Sequence, residues 1–249
     1  MSENTAAEMQ TAVVIGGSGG FGRGIVRALA AKPMRVLAIA REAAPLEAIA
    51  KETGAEYITA DATDEVTAAR ILQQRQPDLV VLAAGASPVL RPLQLHTWET
   101  FALNWEVDTK AAFVWLRNAL LVPMKPGSHI VIISSGAAIH GSELSGGYAG
   151  SKRTQWFMTR YASLEAERNK LGLRIQCLLP MLSPNGLGLE AIEAYSRRAG
   201  LSQEEFSKRF GPPLTPAIIG QAIVDMHDNP GSWNQLAYTI GGNGLAPIS

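Results

Sequence analysis

Tyr148-Ala149-Gly150-Ser151-Lys152 places a phenol and an ammonium at i and i+4, on one face of a helix and one turn apart. Ser135 stands thirteen residues before Tyr148, just past the apolar run Ile130–Ser134. A free phenol loses its proton only near pH ~10, which makes it a sluggish base at neutral pH. An ammonium beside it, or the positive ring of an oxidised nicotinamide, favours the phenolate. A serine hydroxyl can then hydrogen-bond a substrate oxygen while the phenol gives or takes its proton, and hydride passes to or from a nicotinamide carbon. Five Tyr and seven Lys in 249 residues predict only about 0.14 chance Tyr-x-x-x-Lys pairs, so coincidence is a poor explanation.

Such a trio needs a scaffold, and the hydrophobic pattern supplies one. Short continuous apolar runs at Val13–Ile15, Val36–Ile39, Tyr57–Thr59, Leu79–Ala83, Ile130–Ser134, Ile175–Leu179 and, more weakly, Ala237–Ile240 read as strands covered on both faces. Helical stretches at about 20–31, 45–53, 64–75, 97–121, 147–171 and 216–228 lie between them. Their ends carry recognisable stops and starts: Pro33 and Gly54 as terminators, Asp64 as N-cap, Thr215 before Pro216 as N-cap and first helical residue. Alternation of this kind predicts βαβ units: one α/β domain over residues 1–249, a doubly wound Rossmann fold with a mostly parallel seven-stranded sheet and helices on both faces. About 35 residues separate Leu179 from the Thr215 helix start. They hold a short helix around Leu189–Arg198 and a capping-box pattern at Ser202 and Glu205. An insert at the carboxyl edge of a parallel sheet, here 181–215, reads as a substrate lid; a surface excursion without a role is the competing reading.

The first strand runs into Gly16-Gly17-Ser18-Gly19-Gly20-Phe21-Gly22-Arg23-Gly24. A glycine-rich turn lets backbone approach a pyrophosphate, whose charge the following helix N-terminus favours. The end of the second strand then selects the dinucleotide. An acidic residue there would hold ribose hydroxyls and repel a 2′-phosphate, but the chain has Ala40 and Arg41. With Arg23 in the glycine loop, two guanidiniums offer forked donors and no acid opposes them, so NADP(H) is expected over NAD(H). Asp61, after the third strand and followed by Ala62, is placed to accept from an adenine amino group.

Composition bounds the partners. Lys plus Arg and Asp plus Glu are both 22, a formal charge of zero, which argues against nucleic acid as partner. One cysteine, Cys177, cannot form an intrachain disulfide and fits a reducing, cytoplasmic setting; it reads as a small core residue. No basic patch followed by an apolar run opens the chain, and no apolar run approaches the ~18 residues of a membrane span. His96, His129, His140 and His227 show no metal-ligand spacing, so no metal is expected.

On these residues the chain resembles the short-chain dehydrogenase/reductase family from Val13 to about Gly242. Ile15 through Gly22 matches the family's Thr-Gly-x-x-x-Gly-x-Gly, with Gly16, Gly20 and Gly22 on the glycines and Ile15 in place of Thr. Leu82-Ala83-Ala84-Gly85 stands on its Asn-Asn-Ala-Gly, lacking both asparagines. Ser135, Tyr148 and Lys152 fall on the catalytic Ser, Tyr and Lys, and the resemblance gives Lys152 the nicotinamide ribose hydroxyls. The family's fourth catalytic residue, an Asn that anchors a relay water partly through its carbonyl, corresponds to Asp108, with Asn104 one turn earlier on the same face. Pro180-Met181-Leu182-Ser183-Pro184-Asn185 replaces Pro-Gly-x-Val-x-Thr, with Asn185 as the candidate substitute for Thr.

The resemblance thus implies a hydride transfer between NADP(H) and a small-molecule carbonyl or alcohol. Ser18, Gly19, Phe21, Pro180 and Ser183 are further cofactor contacts, and Met181 and His140 candidate substrate contacts, although His140 also suits an exposed loop. Met181, Leu182, Leu187 and Leu189 hint at an apolar pocket. The family's homo-oligomers, dimers or tetramers, place their contacts on the helix Phe101–Leu121 and on the Tyr148 helix. A non-catalytic NADP(H)-binding regulator on the same fold is the rival reading, and C=C reduction or epimerisation a third.

Overall fold

The computed structural model describes residues 9–122, 124–184 and 187–248, with Leu187 as backbone only. Asn185 and the first eight residues lie outside the described residues. Strands β1 (Gln10–Ile15), β2 (Met34–Ala40), β3 (Glu56–Thr59), β4 (Leu79–Leu82), β5 (His129–Ile133), β6 (Arg174–Pro180), β7 (Ala237–Gly241) and β8 (Gly244–Pro247) form one sheet in the order β3-β2-β1-β4-β5-β6-β7-β8. All pairings are parallel except β7 with β8.

The register explains why the apolar runs do not alternate. Val14, Ala38, Val81 and Val131 enter the core on one face, while Val13, Leu37, Val80 and Ile130 enter that on the other. Helices α1 (Gly20–Ala30), α2 (Ala43–Thr53) and α10 (Pro216–Asp228) cover the first face. Helices α3 (Glu65–Arg75), α5 (Lys110–Leu121) and α7 (Tyr148–Arg168) cover the second. The helix signals act as expected: Asp64 accepts from Val66 N, Thr215 from Ile218 N, and Gly54 ends α2 in the left-handed conformation at φ 75°.

Two elements depart from the sequence reading. The sheet has eight strands rather than seven, because the Gly242-Asn243 turn folds Gly244–Pro247 back on β7 as a short antiparallel edge. The expected single helix over 97–121 is three pieces: α4 (Trp98–Asn104), a π-helical turn (Trp105–Thr109) and α5. The long insert contains α8 (Leu187–Ala199) and α9 (Gln203–Ser207), and Ser202 and Glu205 form the capping box.

At the sheet's amino edge His129 is buried, and its ring stacks on His227 with centroids 5.9 Å apart. Arg174 lies 3.0 Å from His129 Nδ1 and donates to the carbonyls of Met226 and His227, so it fastens the end of α10 to β5 and β6. Burial, and then the Arg174 charge, push both histidines below the ordinary value. A depressed folded value means that this stabilisation is complete above pH ~6.5 and is lost as pH falls below it. Differential scanning calorimetry should show Tm falling by roughly 3 °C or more from neutral to mildly acidic pH. A His129→Asn, His227→Asn double variant should show a shallower fall; equal slopes would contradict the assignment.

Candidate active site

The order of strands reverses between β1 and β4, where the connections leave to opposite sides and a crevice opens at the carboxyl edge. A cavity of about 1240 Å³ fills that crevice. Gly16 has φ +87°, and a Cβ there would stand 2.5 Å from Ala84 N; at Gly22 a Cβ would stand 2.0 Å from the Gly16 carbonyl oxygen. A side chain at Gly16 would push the turn off the segment that follows β4, and one at Gly22 would push α1 off the turn. Gly19 is extended and provides no side-chain cap for α1, whose first turn carries no acidic residue. Nothing lies within 4 Å of where a Cβ would stand at Gly19 or Gly20. This uncapped helix end and open cradle fit the pyrophosphate of a dinucleotide. Asp61 accepts from Thr63 N and Oγ1, and those bonds hold its carboxyl below the usual value.

The catalytic candidates meet on the opposite wall. Tyr148 opens α7, and Lys152 one turn on has its Nζ 5.6 Å from the Tyr148 ring centroid. Ser134 Oγ donates to the Lys152 carbonyl, while Ser135 Oγ accepts from Ala137 N at the start of α6 (Ala137–His140). Asp108 sits in the π-turn with no exposed surface, and its Oδ2 is 3.1 Å from Lys152 Nζ. The Lys152 side chain is 7 % exposed. Burial alone would lower its pKa, but the Asp108 charge and the Tyr148 phenol outweigh that and hold Lys152 above the ordinary lysine value.

The π-turn is what brings Asp108 here, and α7 completes it. Ser151 Oγ donates to the Asn104 carbonyl at 2.8 Å, and Gln155 Nε2 to the Asp108 carbonyl at 2.9 Å. The carbonyl that the resemblance offers to a relay water therefore already accepts a bond from a fully buried glutamine. Asp108 Oδ1 accepts from Ala86 N at 2.8 Å, while Asn104 Nδ2 donates to the Ala86 carbonyl at 2.8 Å. This two-point clamp ties down the segment after β4, where both family asparagines are absent. Gly85 permits it, since a Cβ there would lie 2.9 Å from Asp108 Oδ2.

Most of the site residues expected from the sequence line this one cavity, Arg23 excepted and Asn185 outside the described residues. Gly16, Ser18, Gly19, Gly20 and Phe21 line it from the turn, and Arg41, Asp61 and Ala62 from the ends of β2 and β3. Ala83, Ala84, Gly85 and Asp108 line the middle, with Ser135, His140, Tyr148, Lys152, Pro180, Met181 and Ser183 on the far side. Arg23 is different. Its guanidinium bonds Glu52 at 2.8 Å, together with Arg27, and does not line the cavity. Those two arginines hold the Glu52 carboxyl down at about 2. The acid-free environment expected around Arg41 also needs correcting, since Glu42 lines the same wall.

Sequence reasoning missed the aromatic residues that the 181–215 insert gives to the cavity, Tyr195, Phe206 and Phe210. Tyr195 on α8 accepts from Leu144 N at 3.0 Å and lies 2.6 Å from Ser142 Oγ, and Arg198 pairs with Glu143, so the insert rests on the loop before α7. The i, i+4 spacing of Phe206 and Phe210 behind a capping box was the available signal. Gln155 gave none. Gly22→Ala is expected to weaken dinucleotide binding at least tenfold by isothermal titration calorimetry, because the added methyl meets the Gly16 carbonyl. Unchanged affinity would show that the turn does not hold the phosphates.

Comparison with known proteins agrees with this architecture. The family model for short chain dehydrogenases matches residues 10–183. An uncharacterized oxidoreductase of Myxococcus xanthus is 32% identical over 188 residues, 70% of this chain and 73% of that protein. Human L-xylulose reductase is 27% identical over 71% of this chain and 72% of its own length. The crystal structure of an actinorhodin polyketide ketoreductase with NADPH superposes with a TM-score of 0.80 at 22% identity, covering 94% of this chain and 97% of that one. A glycine turn at the strand switch point, a matching family model over most of the chain and oxidoreductase relatives lead to one conclusion: the protein is an oxidoreductase of the short chain dehydrogenase family.

Proposed function

We propose that the chain is an NADP(H)-dependent carbonyl reductase or alcohol dehydrogenase with Tyr148 as its general acid/base. The observation that carries this reading is the gathering of Ser135, Tyr148 and Lys152 on one wall of the cavity whose other end is the glycine turn. When bound, the nicotinamide supplies or accepts the hydride. The chain's own residues do the rest. Ser135 Oγ hydrogen-bonds the carbonyl oxygen and orients it toward Tyr148. The phenol hydroxyl gives its proton to that oxygen in reduction and takes it back in alcohol oxidation. Lys152 holds ribose hydroxyls and keeps positive charge near the phenol. Asp108 is then a member of the proton-handling group through its bond to Lys152.

Gly16, Ser18, Gly19, Gly20 and Phe21 would cradle the phosphates, Arg41 the 2′-phosphate, and Asp61 with Ala62 the adenine. Ala83, Ala84, Gly85, Pro180 and Ser183 would line the nicotinamide end. Preference for NADP(H) rests on Arg41 without help from Arg23. Among the described residues Arg41 has no ion-pair partner, so its fork is free for a phosphate. Tyr195, Phe206, Phe210 and Met181 around the mouth suit a carbonyl compound with an apolar or aromatic body. His140 at the rim would touch it. Residues 181–215 act as lid on one continuous domain. Phe113, Phe157, Tyr161 and Leu164 on α5 and α7 are between 42% and 59% exposed, an apolar face suited to a homo-oligomer, dimer or tetramer. No helix among the described residues is long and apolar enough to cross a membrane, and a cytoplasmic protein without nucleic-acid partners completes the reading.

A panel of aldehydes and ketones with NADPH, followed by loss of cofactor absorbance, tests the activity. Turnover of at least one apolar carbonyl is expected; tight NADPH binding without turnover of any would favour the regulator. Tyr148→Phe should lower kcat by at least a hundredfold while leaving the NADPH Kd within about threefold. In a fluorescence titration NADPH should bind roughly tenfold more tightly than NADH, and Arg41→Ala should abolish the difference. Equal affinities in the unaltered chain would refute that preference.

A further inference from the structure

Met181 stands on the glycine of the family's Pro-Gly-x-Val-x-Thr, while Gly136 directly follows Ser135. Backbone conformation does not call for that second glycine: φ −55° and ψ −25° are right-handed helical angles open to any residue. Space does call for it. A Cβ at Gly136 would stand 2.8 Å from Met181 Sδ, 3.4 Å from its Cε and 3.4 Å from the Pro180 carbonyl oxygen. The Met181 thioether therefore lies against the backbone next to Ser135, and Ser135, Gly136 and Met181 all line the cavity. We propose that Met181 sets substrate specificity by filling the room beside Ser135, so that the site takes carbonyl compounds with one small substituent: aldehydes and methyl ketones. This rests on the carbonyl-reductase reading and deepens it by naming the substrate class.

The backbone fixes where that side chain starts. Met181 N donates to the Ile240 carbonyl and Gly136 N to the Pro180 carbonyl, each at 2.8 Å, so the ends of β5, β6 and β7 are joined at this point. The first turn of α6 is tied to the same place, with Ala137 N donating to Ser135 Oγ and Ala138 N to the Ser135 carbonyl. A carbonyl carbon carries two substituents. With its oxygen on Ser135 and Tyr148, one substituent can extend toward Tyr195, Phe206 and Phe210 of the insert, and the other meets the thioether. One extra carbon in a fitted apolar pocket changes kcat/KM by roughly 10–200-fold. A thioether bends more readily than a branched side chain, which keeps the expected effect near the lower end of that range.

A series of aryl carbonyl compounds with hydrogen, methyl, ethyl or isopropyl as the second substituent tests this in two ways. In turnover with saturating NADPH, kcat/KM should fall about tenfold or more from the methyl to the isopropyl compound. Met181→Ala should raise the isopropyl-to-methyl ratio by about tenfold. Gly136→Ala, whose methyl pushes the thioether into the cavity, should lower that ratio further. In a ligand-observed nuclear magnetic resonance titration of the chain loaded with NADP+, which has no hydride to give, Kd should rise in the same order of size. An isopropyl-to-methyl ratio near one in the unaltered chain, or a ratio that Met181→Ala leaves in place, overturns the proposal. The arm on the unaltered chain is decisive even if a variant folds poorly. Turnover of the whole series without size order overturns this proposal alone; size-ordered binding without turnover supports Met181 as the size filter and sinks the reductase reading.

Discussion

A lysine ammonium buried to the degree of Lys152 must have a counter-charge within reach or lose its proton, because moving an isolated cation out of water costs several kcal/mol. Asp108 supplies that counter-charge, and much of the local structure follows from placing it. The helix before β5 opens into a π-turn, Gln155 and Ser151 on α7 take up the carbonyls on either side, and Gly85 yields its side-chain space to the carboxylate. Leaving one partner without the other would cost about 3–5 kcal/mol, so the two residues stand or fall together.

The second constraint is the sheet. Parallel strands with helices on both faces put the carboxyl ends of β1, β4, β5 and β6 along one edge. The glycine turn follows β1, Gly85 follows β4, Ser135 follows β5 and Pro180 ends β6. Residues more than a hundred positions apart thus share one cavity without any of them lying in a strand centre. The backbone does the coarse positioning and the α7 contacts the fine.

How much of this was legible depends on how local the signal was. The strands and the caps at Asp64, Gly54 and Thr215 rest on patterns a few residues wide, and they stand in the structure close to where the sequence puts them. The eighth strand was hidden because four residues with Gly and Pro at an edge carry almost no hydrophobic signal, although Gly242-Asn243 is a hairpin turn. The π-turn was hidden for a different reason. Its residues are ordinary helix formers, and what opens the helix is hydrogen bonding from α7, more than forty positions away. The expectation for Arg23 failed likewise, since Glu52 reaches it from a different helix. Asp108 was found through the family resemblance, as the residue at the place of the family's Asn, but its partner was not: nothing in that correspondence says that an acid there meets Lys152 directly.

The buried pair is the centre of this account, and the nitrogen-15 chemical shift of Lys152 Nζ, followed from neutral to strongly alkaline pH, tests it most directly. A signal that stays at the ammonium position well past neutrality, and moves to the amine position at lower pH when Asp108 is replaced by Asn, is the predicted result. A neutral amine at pH near 7 in the unaltered chain would contradict the pair and with it the arrangement built around it.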